Sequence, residues 1–239
     1  MDSSLAEFKE TQSQDAFSLQ NERLLKVRLD AVTIQARQGA MVAYQGDVHF
    51  EHSSSGMKRL MKKVATGEGV DLMKVSGTGE VFLAIQAEEV HLLQLNDEEI
   101  TCNGQNILAF ESGIDWDISK VQGVSGVMTG GLFNVKLKGT GTVAVVSDGP
   151  PVLLDVGSAP TFCDPQAAIV WSQGAKSSVK TDASMKSFIG MGSGESVQVA
   201  FSGDGWVLVQ PSEGRVAANV SGSNQSGGGI GGLLGNLTQ

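Results

Sequence analysis

The sequence contains few of the residues on which catalytic and metal sites depend. Its 239 residues include two cysteines, three histidines and five prolines. Cys102 and Cys163 are too few for a disulfide framework, and neither lies in a C-x-x-C or Cys/His spacing typical of zinc. His49 and His52 fall on opposite faces of a regular strand, so they do not converge on one ion. We therefore predict no metal site and two reduced cysteines.

Long apolar runs and targeting signals are also missing. No run approaches the ~18 apolar residues of a membrane-spanning helix, so the protein is predicted not to be transmembrane. The N-terminus has neither a basic region followed by an apolar one, as in a secretory signal, nor the Arg-rich composition of a transit peptide. We expect a cytoplasmic protein. Positive charge is in deficit as well, with 17 basic against 26 acidic residues and a net charge of −9. That balance repels phosphate backbones, so no nucleic-acid partner is predicted.

The motifs of common enzymes are absent. There is no Gly-x-Ser-x-Gly elbow, and residues 174–177 (GAKS) lack the spacing and the upstream glycine of a phosphate loop. Trp116, Trp171 and Trp206 resemble core anchors in alternating strands, although such rings also serve as sugar-stacking platforms. The acidic pair Glu98/Glu99 is interpreted as facing solvent near a turn. We accordingly predict no catalytic or cofactor-binding residue, no cofactor and no enzyme activity.

Glycine, in contrast, is abundant, at 31 residues. A Gly-x-Gly inside an alternating strand pattern occurs three times, with its first glycine at intervals of 62 and 64 residues. Glycine inside a strand marks a bulge or a close approach of backbones. The predicted structural glycines are Gly77, Gly79, Gly139, Gly141, Gly203 and Gly205. We interpret them as three equivalent bulges and not as a phosphate-binding loop, since one cofactor does not need three.

A second element recurs with a similar period. Residues 29–44, 95–110 and 162–171 each read as strand, turn, strand, a hairpin ending in an aromatic residue. Asn103-Gly104 and Asp164-Pro165 supply the turn residues in the second and third copies. Each hairpin is followed by a connector with the spacing of an amphipathic helical turn, at residues 57–64, 124–128 and 185–189.

These patterns predict an all-β protein of three internally repeated units, pseudo-threefold and sandwich- or prism-like, with short helical connectors. Residues 1–16 form a polar N-terminal arm, and residues 17–212 one β domain. The repeats span about 17–93, 94–154 and 155–212. A Gly/Ser-rich flexible tail covers 213–239.

The first connector differs from the other two in its charge. Lys58, Arg59, Lys62 and Lys63 lie within six positions on a predicted helix whose other face is apolar. Local positive charge acts within a Debye length of ~8–10 Å even on an acidic protein. The cluster is therefore the candidate partner-binding site, for an acidic protein or a membrane surface, with a solvated helix face as the alternative.

Several segments together resemble the mitochondrial-biogenesis family named for altered inheritance of mitochondria, whose bacterial members were long listed as a domain of unknown function. The resemblance covers residues 17–212 and rests on residues 39–46 (GAMVAYQG), the connector 56–60 (GMKRL) with the Gly67-Glu68 after it, and 131–133 (GLF) leading to 139–143 (GTGTV). It implies a β fold similar to that of the tryptophan RNA-binding attenuator protein, with pseudo-threefold repetition, and it brings no catalytic residues. Mitochondrial members are tied to inner-membrane organisation and bacterial ones are soluble; the short chain favours the bacterial type.

Two function hypotheses follow. The first is a non-enzymatic scaffold or assembly protein that forms a homo-oligomer, such as a trimer, and acts through protein or membrane-surface contacts. The second is a ligand- or carbohydrate-binding β module with three equivalent pockets. An enzyme is the least favoured class.

Overall fold

The structure is a computed structural model that describes residues 3–30, 32–52, 71–119, 133–181 and 197–212. Its one described helix is a 3-10 turn, Ser3–Phe8. The strands are β1 (Phe17–Asn21), β2 (Leu24–Arg28), β3 (Ile34–Arg37), β4 (Met41–His52), β5 (Leu72–Leu83), β6 (Glu89–Asn103), β7 (Ile107–Glu111), β8 (Asp115–Ser119), β9 (Asn134–Ser147), β10 (Val152–Asp155), β11 (Thr161–Cys163), β12 (Ala168–Ser172), β13 (Lys176–Thr181), β14 (Val197–Ser202) and β15 (Trp206–Val209). The all-β prediction is confirmed.

All described strand pairs are antiparallel, and they form two sheets. The large sheet has twelve strands in the order β1-β2-β5-β3-β7-β9-β6-β12-β15-β10, with β4 added on β5 and β8 on β9. The small sheet has the order β11-β14-β13. Alternation fixes the buried face: in β9, Val135 and Leu137 are fully buried whereas Lys136 and Lys138 are exposed. A slip of one residue would bring the lysines into the core, so this register is strongly specified.

Each Gly-x-Gly lies where a strand changes its neighbour. In β5, residues 72–75 pair with β3 and residues 80–83 with β2. In β9, residues 134–138 pair with β8 and residues 143–145 with β7. The third motif separates β14, in the small sheet, from β15, in the large one. These glycines are thus corners at which the chain turns from one layer of strands to the next.

The predicted bulges at these glycines are wrong in detail. The β4–β5 ladder runs without a register shift from Ala43 to His52, past both Gly77 and Gly79. Next to Gly139 the shift falls on the partner strand β6, at Asp97, whose φ is +58°. Gly203 to Gly205 form a loop between strands. The backbone changes direction through the positive φ of the glycines, and no extra residue is needed in their strands.

The predicted hairpins are also wrong, although the turns are where we expected them. In the described part of the chain, β3 pairs with β5 and β7 but not with β4. Likewise, among the described strands, β6 pairs with β9 and β12 but not with β7, and β11 pairs with β14 but not with β12. The Asp164 side chain caps its turn by accepting a 2.7 Å hydrogen bond from the Gln166 N–H. Each turn therefore joins two strands with different neighbours.

Among the described residues, three apolar clusters form the core. The first lies between β6, β7 and β9 around Phe110 and Leu137, and the second lies under β2, β3 and β5 around Leu25 and Ile34. The third lies between the two sheets, where the Trp171 and Phe201 rings meet edge to face at 5.2 Å. Burying each large side chain contributes about 1.5–3 kcal/mol. The fold thus depends on strand faces throughout.

The N-terminal arm crosses β1 and β2 and is held there by a buried lysine. Lys26 is almost fully buried, and its ammonium group lies 2.6 Å from Glu10, 2.9 Å from Glu80 and 2.9 Å from the Thr11 carbonyl oxygen. Burial lowers the pKa of Lys26, but the hydrogen bonds to Glu10 and Glu80 outweigh it, so the pKa is raised. Hydrogen bonds with Glu80 and then Lys26 lower the pKa of Glu10. The arm is therefore fastened to the domain at residues 10 and 11.

Candidate functional site

One face of the large sheet is polar where β6, β9 and β12 meet. Alternation places Glu99 and Thr101 on the face opposite Ile100 and Cys102, which lie in the core. The register sets Lys136 of β9 and Trp171 of β12 on either side of Thr101. Cross-strand partners share a face of the sheet, so these side chains form one row. The row is the floor of a cavity.

The cavity has a volume of about 400 Å³ and its wall is the start of β13. Turn residues 173–175 bring the chain back over the floor, where the Gln173 N–H donates to the Glu99 carbonyl oxygen at 3.2 Å. Lys176 and Ser177 follow and are exposed. The lining residues are Glu99, Thr101, Ser119, Asn134, Lys136, Trp171, Ser172, Gln173, Ala175, Lys176 and Ser177. We call this space the β6–β13 cavity.

Charged groups in the cavity favour an anion. Lys136 donates to the Glu99 carboxylate at 3.2 Å, with side-chain exposures of 50% and 17%. Lys176 adds a second cation to the lining. Among the described lining residues, two ammonium groups against one carboxylate give one net positive charge, on a protein whose net charge is −9.

Much of the hydrogen-bonding capacity of the lining is unused. In the described part of the chain, the side chains of Thr101, Ser119, Asn134, Lys176 and Ser177 make no hydrogen bond or ion pair. Hydroxyl and amide groups both donate and accept. The cavity therefore offers a dense set of polar groups to a molecule that enters it.

A smaller polar cavity of about 190 Å³ lies where β3, the 104–106 turn and residue 210 meet. Its amides bond one another: Asn106 donates to Gln210 at 3.3 Å, and Gln210 donates to the Gln166 carbonyl oxygen at 3.1 Å. Arg37 donates to the Gly104 carbonyl oxygen. Burial lowers the pKa of Arg37, against the charges of Glu88 and Asp71. These groups serve mainly to join parts of the chain distant in sequence.

Both cysteines, His49 and His91 lie apart from the β6–β13 cavity lining. Burial raises the pKa of Cys102, and that of Cys163 to about 11, so both thiols stay protonated at neutral pH. His49 lies 3.6 Å from Asp47 on the exposed strand β4. His91 Nε2 lies 2.6 Å from the Ser147 hydroxyl, and burial lowers its pKa. No group of three potential metal ligands is present among the described residues.

The tryptophans and the acidic pair divide between core and cavity. Trp116 and Trp171 are buried, and Trp206 is partly buried against the core. Glu98 is exposed, as expected, but Glu99 is largely buried and lines the cavity. The expectation that both face solvent is therefore wrong for Glu99, because residues 173–177 come back over that part of β6.

The predicted contact site cannot be placed in the structure. Lys58, Arg59, Lys62 and Lys63 lie outside the described residues, as do the three helical connectors and the tail after residue 212. The six predicted structural glycines are all described. Five of them have positive φ, and the exception is Gly205.

A contact surface that the sequence patterns did not indicate is the strand β4. It pairs with β5 along one edge, and in the described part of the chain no strand pairs with its other edge. Val42 and Tyr44 are 60% and 49% exposed. The Tyr44 and Phe50 rings meet at 5.4 Å, although six residues of extended strand span about 20 Å. The strand therefore bends sharply between them, at Gly46, whose φ is +94°.

The cavity residues could have been suspected from one signal only. Glu99, Thr101 and Asn103 alternate with Ile100 and Cys102, and Asn134, Lys136 and Lys138 alternate with Val135 and Leu137. These alternations predict a polar face on each strand. They do not show that the two faces adjoin, or that Lys176 comes from 40 residues further on to close the space.

Together these features define a class: an all-β protein whose strands turn at glycine corners, with a polar cavity on one sheet. None of the described helices is long and apolar enough to cross a membrane. The model of the mitochondrial biogenesis AIM24 family matches residues 17–212, and the chain belongs to that family. This confirms the resemblance seen in the sequence.

A solved structure agrees with the fold. The crystal structure of protein SPYM3_0169 from Streptococcus pyogenes is similar to this chain with a TM-score of 0.63 and 21% sequence identity. The match covers 81% of this chain and 91% of that one. No curated protein matches the sequence. At this level of identity the likeness concerns the fold alone.

Proposed function

We propose that the protein is a non-enzymatic scaffold or assembly protein of the cytoplasm, which acts through protein contacts and first of all through contacts with a second copy of itself. The observation that carries the proposal is the edge of β4, twelve residues long, with which no described strand pairs. Unpaired strand edges are templates for pairing with another chain. β4 is not blunted by proline and carries exposed apolar side chains.

The charges of β4 suit pairing with itself. In a twofold antiparallel pair centred on Val48, Asp47 of one copy faces His49 of the other, so no like charges meet at the centre. Cross-strand side-chain pairs contribute roughly 0.2–1 kcal/mol each. Such pairing makes a dimer, whereas the trimer expected from the sequence needs a head-to-tail contact. The mass in solution distinguishes them.

The threefold repetition predicted from the sequence supports an assembly role and belongs to this proposal. Three groups of antiparallel strands correspond to one another. In the first, β4 pairs with β5; in the second, β7 and β8 pair with β9; in the third, β12 pairs with β15 and β13 with β14. The prism-like arrangement, the likeness to the attenuator protein and the domain boundaries at residues 16 and 212 stay predictions. Repeated units without a shared catalytic set fit a structural role better than a chemical one.

Light scattering combined with size-exclusion chromatography tests the proposal. We expect a defined oligomer for the full chain and a shift to monomer in the double variant Asp47→Lys/His49→Lys, because four lysine side chains would meet at the centre of the twofold pair. Ser178→Lys, on the exposed strand β13, is the matched control and keeps the oligomer. Circular dichroism verifies that each variant is folded. A monomeric wild-type protein would contradict the proposal.

The basic residues Lys58, Arg59, Lys62 and Lys63 remain the proposed contact for a further partner, an acidic protein or a membrane surface. Reversal of all four charges should abolish capture of that protein or binding to anionic vesicles, and should leave the oligomer intact. If capture and vesicle binding both stay unchanged, the four residues are not a contact site.

A second candidate function is a ligand-binding β module. It is favoured by the β6–β13 cavity, whose polar side chains have unused hydrogen-bonding capacity. Three equivalent pockets are not needed for this version of the hypothesis. One site per chain is sufficient.

A further inference from the structure

We propose that the β6–β13 cavity binds a small polyhydroxylated anion, a sugar that carries a carboxylate or a phosphate group. The inference rests on the second candidate function and is independent of assembly through β4. It assigns the site, its ligand class and the group that recognises the charge.

The size of the cavity suits a small ligand. Its volume of about 400 Å³ lies in the range of small-molecule sites, about 300–1,000 Å³. Two sheets contribute to it, with β6, β9 and β12 as the floor and β13 of the small sheet as the wall. A site between two sheets can hold a ligand from two directions.

The lining suits hydroxyl groups. Thr101 is 9% exposed and lies at the floor, while Ser119 and Asn134 are cross-strand partners at one end. Ser177 projects from the other wall. None of these four side chains has a hydrogen-bond partner in the described part of the chain. Leaving such groups dry and unpaired costs free energy, so an occupant that replaces water must pair with them. A sugar supplies several hydroxyls at suitable spacing.

The charge of the lining selects an anion. Lys136 is neutralised in part by Glu99 at 3.2 Å, which leaves Lys176 as the cation without a partner among the described residues. Lys176 lies at the mouth on an exposed strand. An ammonium group binds carboxylate and phosphate as a point charge, so this position does not by itself choose between them. Glu99 is placed to accept hydrogen bonds from sugar hydroxyls.

Isothermal titration calorimetry on the full chain tests the inference with four probes: glucuronate, glucose 6-phosphate, glucose and inorganic phosphate. We expect heat from glucuronate or glucose 6-phosphate at about 10 mM, the scale of millimolar affinity. Whichever binds identifies the acid group. Glucose should bind more weakly because it lacks the charge, and inorganic phosphate because it lacks the hydroxyls.

Two variants locate the binding. Lys176→Gln should weaken binding of the anionic sugar about tenfold, the loss expected for one charged hydrogen bond. Lys180→Gln, on the same strand but outside the cavity lining, makes the same charge change and should leave the affinity as in the wild type. Both positions are exposed, so folding is preserved.

Three results would overturn the inference: no heat from either anionic sugar, equal affinity in Lys176→Gln and the wild type, or glucose or phosphate alone binding as tightly as the anionic sugars. The oligomeric mass of the same samples is measured in parallel. A loss of binding with the mass unchanged, or the reverse, separates failure of the ligand site from failure of the assembly proposal.

Discussion

The first and second Gly-x-Gly corners carry the same motif but are built from different atoms. At the first corner, Gly77 and Gly79 face Asp47 and Gln45 so closely that a Cβ on either would overlap a carbonyl oxygen of β4. At the second corner, a Cβ on Gly139 would meet its nearest atom at 3.7 Å, and one on Gly141 would meet the Glu111 side chain at 3.3 Å. At the first corner backbone packs on backbone. At the second corner the Glu111 side chain packs beside Gly141.

The difference follows from how the opposing strand passes the corner. At the first corner β4 is continuous, so both ribbons bend together and their main chains stay in contact. At the second corner the continuous partner strand β6 shifts its register at Asp97. On the other edge of β9, the Glu111 carboxylate at the end of β7 accepts a 3.0 Å hydrogen bond from the Thr142 N–H. The Gly-x-Gly motif therefore allows a close approach of two backbones at the first corner and a positive φ at the second corner.

Substitution of Gly79 by alanine tests this contrast most strongly. Its φ is +153° and a Cβ would overlap the Gln45 carbonyl oxygen, so the ladder must open. We expect a loss of about 4 kcal/mol or more in the free energy of unfolding, or an insoluble product. Thr78→Ala is the control, because Thr78 is exposed and lies between the two glycines. Urea denaturation measures both, and wild-type stability of Gly79→Ala would refute the close approach.

The second largest loss of stability is expected when the ion pairs beside the first corner are broken. Lys26→Met keeps the shape of the side chain but leaves Glu10 and Glu80 without their cation. We expect a loss of about 3 kcal/mol at pH 7, the low end for a broken buried pair, because the two carboxylates are partly exposed. Lys74→Met is the control, since its pair with Glu51 is exposed and 3.6 Å long and should change stability by less than about 1 kcal/mol.

The pH dependence of that loss has a definite sign. The pKa of Glu10 is lowered from 4.5, so its contribution is present above pH 4.5 and disappears as the pH falls through the lowered value. The pKa of Lys26 is raised from 10.5, so its contribution is present below pH 10.5 and disappears as the pH rises through the raised value. The difference in the free energy of unfolding between wild type and Lys26→Met should therefore become smaller on both sides of this pH window. A difference that stays constant down to pH 3 would contradict the pairing.

Substitution of Gly139 by alanine should cost less than that of Gly79. No atom obstructs the new Cβ, and the cost is the strain of a φ of +137° on a residue with a side chain, about 2 kcal/mol. Gly113→Ala is the control, because a Cβ there meets nothing within 4 Å. If thermal unfolding shows that Gly139→Ala is as damaging as Gly79→Ala, the two corners are not different in kind.

The sequence predicted the strands and the position of the corners, but not what the corners do. Alternation in β5 and β9 is local information, and so is the place of a glycine within it. The partner of a strand is not local: β3 lies between β5 and β7, which begin 35 or more residues further along the chain. For the same reason Glu99 was expected at the surface, since its cover comes from residues 173–177. The identity of Lys176 as a cavity residue depends on that same distant contact.

The smallest expected effect concerns the side chain that fills the second corner. Glu111→Gln keeps an oxygen that can accept from the Thr142 N–H, so it should change the free energy of unfolding by less than about 1 kcal/mol. Glu111→Ala removes the acceptor and the contact with Gly141, and should cost about 1–1.5 kcal/mol. Amide hydrogen exchange at Thr142 reports the bond directly: protection should persist in Glu111→Gln and fall in Glu111→Ala. Equal exchange in both variants would mean that the side chain is not part of the corner. The second corner would then be a bend formed by its glycines alone, and it would differ even more from the first corner, where two backbones pack together.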